Sequence, residues 1–245
     1  MRAPMNRQQW QRLSAQFETR VCDITQTDSK KVFPNILARV APSQMCGTLV
    51  DLGCGIGTFI RRFGSRFDSI VGVDFSQGML DRAERRCDGS GTIEWLCGDV
   101  ARISHRLVAR ADLTVSLNLI TSTSAAKRDA LWASVARVTK RRGWAIVSIP
   151  SLESAEYVAD ALARSGFGRI AGHSRPGGLV PRGRDLQKFY QRAEVRDAMV
   201  RHGFSSVRVQ PIWYPWSEEG VLGSSMRGRP LPWDWVVVGR KRGAR

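Results

Sequence analysis

Leu49-Val-Asp-Leu-Gly-Cys-Gly-Ile-Gly-Thr58 is the stretch on which the reading of the fold turns. It starts as a short apolar run of strand type and ends in glycines at positions 53, 55 and 57. Glycine at such a turn lets the backbone bend sharply and approach a ligand at contact distance, because a Cβ would occupy the ligand's space. A carboxylate, Asp51, sits inside the strand just ahead of the turn.

Working outward, the chain alternates short β-branched or apolar runs with segments of helical period. Strands are predicted over 48–52, 69–74, 92–97, 112–117 and 144–149, and helices over 58–66, 77–87, 101–109 and 125–141. A parallel neighbour needs a crossover of about a dozen residues or more, and these spacings supply it, which gives an α/β, doubly wound open sheet. Ligands in such sheets bind beyond the carboxyl ends of the strands. After residue 150 a helix is predicted over 154–165, a Gly/Arg/Pro-rich loop over 166–184, a helix over 188–202, and a final antiparallel pair of strands over 206–212 and 233–239. Ahead of the sheet, Trp10, Leu13 and Phe17 mark a helix over 7–20, and 30–41 reads as a second amphipathic segment interrupted at Pro34. The expected organisation is a helical N-terminal cap over 1–45 and a domain over 46–245 with a lid-like insertion at about 151–190.

With 42% hydrophobic and 24% charged residues in a chain of 245, the composition is globular and excludes disordered and collagen-like classes. No apolar run approaches a membrane span, and the start MRAPMNRQQWQRL lacks the apolar core of a secretory signal, so a cytoplasmic location is expected. The five cysteines (22, 46, 54, 87 and 97) form no CxxC and, with three scattered histidines, provide no metal-ligand spacing; Cys54 and Cys97 read as small buried residues. Lys and Arg outnumber Asp and Glu by 38 to 22, a net +16 that would attract nucleic acid or an acidic substrate. The basic residues are scattered and not interleaved with aromatics, as on an ordinary solvated surface, so nucleic acid stays the secondary reading.

The acid-x-Gly-x-Gly-x-Gly arrangement from Asp51 to Gly57 resembles the first motif of class I S-adenosylmethionine-dependent methyltransferases, and the run from Phe189 to Phe204, followed by Trp213-Tyr-Pro-Trp216 and Pro232-Trp-Asp-Trp235, resembles the bacterial small-molecule type of that class. A dinucleotide fingerprint fits less well: its Gly-x-Gly-x-x-Gly, counted from Gly53, puts Thr58 at the third glycine site. The resemblance spans roughly residues 48–150 and, more weakly, 188–239. It implies a Rossmann-like seven-stranded sheet, mostly parallel with an antiparallel C-terminal strand, and S-adenosylmethionine as cofactor. It further implies that Asp51, Gly53 and Gly55 hold the amino-acid part of the cofactor. Asp74, ending Val71-Gly-Val-Asp74, would accept from the ribose hydroxyls, with Phe75 and Met79 flanking the adenine. In Gly98-Asp99-Val100, Asp99 would accept from the adenine amine while Val100 supplies a backbone donor. Asn118 stands near the methionine part, also facing the acceptor.

A small-molecule acceptor methylated by in-line transfer is the leading expectation. The same chemistry on RNA or protein, or a non-catalytic cofactor-binding domain, are the alternatives. An Asn-Pro-Pro-Tyr/Trp motif of nucleic-acid amino methylation is absent after the fourth strand, where Asn118-Leu-Ile-Thr121 stands. No residue is assigned as a general base; His105 and His173 read equally well as surface histidines.

Overall fold

The computed structural model describes residues 23–41, 47–87, 92–165, 174–182, 185–221 and 226–243. The helix predicted over 7–20, His173, Cys22 and Cys46 lie outside the described residues. Before the sheet come α1 (Ile24–Thr27) and α2 (Val32–Val40). The chain continues through β1 (Thr48–Leu52), α3 (Thr58–Phe63), β2 (Ser69–Asp74), α4 (Gln77–Arg86), β3 (Ile93–Cys97), α5 (Val100–Ile103), β4 (Ala111–Leu117), α6 (Ala125–Val138) and β5 (Thr139–Pro150). The second half holds α7 (Leu152–Arg164), β6 (Leu179–Arg182), β7 (Asp185–Lys188), α8 (Arg192–Arg201), β8 (Phe204–Trp213) and β9 (Trp233–Lys241).

Seven strands form one sheet in the order β3-β2-β1-β4-β5-β9-β8, while β6 and β7 make a separate two-stranded ribbon. Pairings from β3 through β5 are parallel. Only β9 runs against its neighbours, inserted between β5 and β8. The expected Rossmann-like sheet with one antiparallel C-terminal strand is therefore the observed one. Helices cover both faces, so the inner strands are buried on both sides and read as continuous apolar runs. Val50, Leu52, Val71 and Val73 pack on one face with Trp132, Val135 and Met199. Leu49, Ile70, Leu113, Val115 and Ile146 pack on the other with Phe33, Phe59 and Phe63. By strand alternation Asp51 shares the face of Leu49.

The Trp95 indole of β3 lies against the bare backbone of Gly72 on β2, where an added Cβ would lie 2.3 Å from its Cζ3 and 3.2 Å from Ile60 Cδ1. Gly72→Ala is expected to lower stability by about 1–3 kcal/mol, the usual range for overpacking. The midpoint of urea unfolding measures it, and an unchanged midpoint would show that the indole moves aside freely.

Four local expectations need correction. Pro34 does not interrupt α2: it is the third residue of the helix, where the missing N–H has no intrahelical acceptor to lose. The helix predicted to 141 stops at Val138, because the Thr139 hydroxyl donates to the Val135 carbonyl at 2.6 Å and Thr139 pairs with Ala111 as the first residue of β5. The helix predicted from 188 starts at Arg192, with Lys188 closing β7, and is opened by a capping box in which Gln191 N–H donates to Glu194 at 2.8 Å. Cys97 is exposed, not buried, since β3 is the outer strand of the sheet.

Candidate functional site

The strand order reverses at β1 and β4, which leaves a crevice beyond their carboxyl ends. A cavity of about 560 Å³ occupies it. All ten residues predicted to bind the cofactor line this cavity: Asp51, Gly53 and Gly55 after β1, Asp74, Phe75 and Met79 after β2, Gly98, Asp99 and Val100 after β3, and Asn118 after β4.

The glycine turn has the geometry its sequence requires. Gly53, Gly55 and Gly57 lie at φ 79°, 53° and 74°, in the left-handed region. At Gly53 a Cβ would also meet the Leu119 side chain at 3.0 Å. The turn is strapped to β2, with the Gly53 and Cys54 N–H groups donating to the Val73 carbonyl at 2.7 and 3.0 Å. Asp74 completes the strap: its Oδ2 accepts from Gly55 N–H at 3.1 Å and its Oδ1 from Ser76 N–H at 2.9 Å. Burial pushes the Asp74 carboxyl up, and backbone N–H groups of Ser76, Gly55 and Phe75 pull it back toward the ionised form.

Asp51 is in a different position. The residue is 2% exposed, and no hydrogen bond to its carboxyl occurs among the described residues. Burial, then Asp74, then Asp23 push its pKa up to about 8. The other two polar corners are more open or more occupied. Asp99 is exposed and caps α5 through Oδ1, which accepts from Ala101 N–H at 2.7 Å. Asn118, at φ 51°, donates from Nδ2 to Asp234 at 3.1 Å and accepts at Oδ1 from Ser148 at 3.2 Å. Its side chain is thus fixed by β5 and β9 rather than directed freely at a ligand.

Sequence reasoning missed several lining residues. Asp23 and Thr25 come from α1 and its cap, Thr121 and Ser122 from the segment leading into α6, Lys127 from the first turn of α6, and Leu186 and Gln187 from β7. Thr58 lines the cavity with a buried hydroxyl that has no hydrogen-bond partner among the described residues. The placement of α1 rests on Arg62, whose guanidinium donates to the Thr25 carbonyl, and on Ser29 N–H, which donates to the Trp213 carbonyl at 2.9 Å. The β7 residues are held by Lys188 N–H donating to the Thr121 carbonyl at 2.9 Å. His105 does not line the cavity, and His202 lies against Trp132 and Asp129.

Residues 49–143 match the family model described as a methyltransferase domain. A methyltransferase domain is thus identified over this segment, in keeping with the resemblance to the class I S-adenosylmethionine-dependent enzymes. Over 108 residues this methyltransferase domain is 29% identical to the biotin biosynthesis bifunctional protein BioHC of Cellvibrio japonicus, covering 44% of the chain and 20% of that protein. The chain spans about a fifth or less of the length of the curated relatives it matches. Among solved structures, the Haloferax volcanii protein in complex with the Trm112 methyltransferase activator superposes with a TM-score of 0.66 at 17% identity, covering 96% of this chain and 98% of that one. DhpI, solved with SAH, gives 0.60 at 15% identity over 96% and 94% of the two chains. The methyltransferase fold thus extends well beyond the matched segment.

The residues present fit the family's cofactor. A buried carboxylate without a donor, beside two further carboxylates, suits a ligand that carries an ammonium and a sulfonium. The cradle at Gly53 is one that a Cβ would obstruct. No helix among the described residues is long and apolar enough to cross a membrane. No described group of three or more His, Cys, Asp or Glu is arranged to hold a metal ion.

Proposed function

We propose that the protein transfers a methyl group from S-adenosylmethionine to a small-molecule acceptor bound in the same cavity. The observation that carries this reading is the covering of the cavity from two sides, by Asp23, Ile24 and Thr25 from the N-terminal segment and by Leu186 and Gln187 from β7. A volume of about 560 Å³ falls within the range of small-molecule sites. On this reading the N-terminal segment is a cap, and the stretch of about 151–190 is a lid. The name of the BioHC relative, with its reference to biotin biosynthesis, is in keeping with a small acceptor.

When bound, the cofactor supplies a methyl group activated by its positive sulfur. The chain's own work is placement and exclusion of water. Asp74 accepts from the ribose hydroxyls with the carboxylate oxygens that also hold the glycine turn, and Phe75 and Met79 enclose the adenine. Asp99 Oδ2 and the Val100 N–H, at the first position of α5 where no intrahelical acceptor exists, read its edge. Asp51 and the turn at Gly53 and Gly55 take the amino-acid part, with Asn118 as the fixed wall beside it. Leu119, Leu131 and Leu186 supply apolar lining for the acceptor, while Thr121, Ser122, Lys127 and Gln187 offer polar groups to orient it.

The net charge of +16 favours a second reading, RNA or protein as acceptor. Calorimetry separates these possibilities. S-adenosylmethionine is expected to bind at micromolar concentration and NADH not at all; the reverse would overturn the cofactor assignment. Turnover of a small acceptor is expected to change little between about 50 and 200 mM salt. An acceptor held through many phosphates would lose roughly 10³-fold or more in affinity over that range, and would overturn the small-molecule reading.

A further inference from the structure

Three carboxylates, Asp23, Asp51 and Asp74, line the cavity, and hydrogen bonds among the described residues account for two of them. Asp74 is held by Gly55 and Ser76 N–H. Asp23 caps α1, accepting from Thr25 N–H at 3.0 Å and Gln26 Nε2 at 3.1 Å. Asp51, which lines the same cavity, is 2% exposed and accepts no hydrogen bond from a described residue. Asp74 at the end of β2 and Asp23 from the N-terminal segment both act on it, and the neighbouring Cys54 thiol on the turn is pushed up by burial, then by Asp51 and Asp74. The one cation among the lining residues described, Lys127, is exposed and lies in the first turn of α6. Burial beside other carboxylates, without a donor, favours the neutral acid.

We propose that Asp23, carried over the cavity by the N-terminal helix, acts with Asp74 to keep a proton on Asp51 in the free protein, and that a cationic ligand displaces this proton on binding. The inference rests on the cofactor reading given above. Asp23 is a positioning residue here, acting through Asp51. The balance is simple: the Asp51 O–H bond breaks, the proton goes to buffer, and the ligand's ammonium takes its place beside the carboxylate. The burial and like-charge neighbours that raise Asp51 to about 8 give the sign. Below that value ionising Asp51 opposes binding, so affinity for S-adenosylmethionine should rise about tenfold per unit from roughly pH 5.5 to 7.5, where the ligand's amine stays charged.

The test measures binding heats in phosphate and Tris buffers, whose own ionisation heats differ, and reads the protons released per ligand. At pH 7 about one proton should leave per S-adenosylmethionine. None should leave on binding 5′-methylthioadenosine, which lacks both the ammonium and the sulfonium. Asp51→Asn should abolish the release, and Asp23→Asn, which keeps the helix cap, should reduce it by removing one like charge. Release that is zero in the natural protein, or unchanged in Asp23→Asn, overturns the proposal. Infrared spectroscopy of the free protein provides a readout independent of the ligand. A protonated-carboxyl band at pH 7 that vanishes in Asp51→Asn supports the bound proton even where the sulfonium ligand fails to bind, in which case the cofactor reading fails alone. Absence of that band overturns the proposal.

Discussion

Asp74→Ala lowers the affinity for S-adenosylmethionine by about a hundredfold or more. Two losses combine in this expectation. A ligand hydrogen bond to a carboxylate is worth roughly 1.5–3 kcal/mol net, or about ten- to more than a hundredfold in affinity. Removing the same carboxylate leaves the N–H groups of Gly55 and Ser76, now 3.1 and 2.9 Å from its oxygens, without their acceptor. The glycine turn would then lose the tie that sets it against β2. Asp74→Asn retains one side-chain acceptor oxygen and should fall between the natural protein and the alanine variant. Calorimetric titration of both, with far-ultraviolet circular dichroism to confirm the fold, decides the matter; natural affinity in both would remove Asp74 from the site.

Phe59→Ala carries the largest expected cost in stability, about 3–5 kcal/mol, the range for emptying a buried aromatic position. Phe59 is 2% exposed, sits edge-on to Phe33 of α2 with ring centroids 5.8 Å apart, and lies 4.9 Å from Phe63. It also lines the cavity, so one side chain joins the N-terminal helices to the ligand site. The variant should therefore unfold at a lower urea concentration and bind the cofactor more weakly. A loss below about 1 kcal/mol would mean that the neighbouring rings collapse to fill the space.

The parts of this architecture legible in the sequence are those set by local pattern. Predicted bounds of β1 and β2 agree with the structure to the residue, because strands buried on both faces read as unbroken apolar runs closed by a turn signal. The ten predicted site residues share a cavity because parallel strands deliver their carboxyl ends to one edge. Less visible were junctions decided by a single side chain, such as Thr139, whose hydroxyl ends α6 and whose backbone begins β5 within a basic run that resembles a helix end. Asp23 and Gln187 had no signal at all. They reach the cavity only through tertiary contacts, Arg62 on the Thr25 carbonyl in one case and Lys188 N–H on the Thr121 carbonyl in the other. The double engagement of Asn118 by Ser148 and Asp234 was equally invisible, since its partners lie on two distant strands.

The insertion of β9 between β5 and β8 bears on the protein's synthesis. The parallel half of the sheet can assemble from contiguous chain as it leaves the ribosome, but the slot beside β5 stays open until Trp233–Lys241 has emerged. Until then β5 presents an unpaired edge of strongly apolar sequence, the kind of surface through which incomplete chains adhere to one another. The same delay reaches the ligand crevice, because Asn118 cannot be pinned before Asp234 arrives. Chains interrupted ahead of that strand are thus expected to be aggregating, ligand-incompetent species rather than smaller working domains.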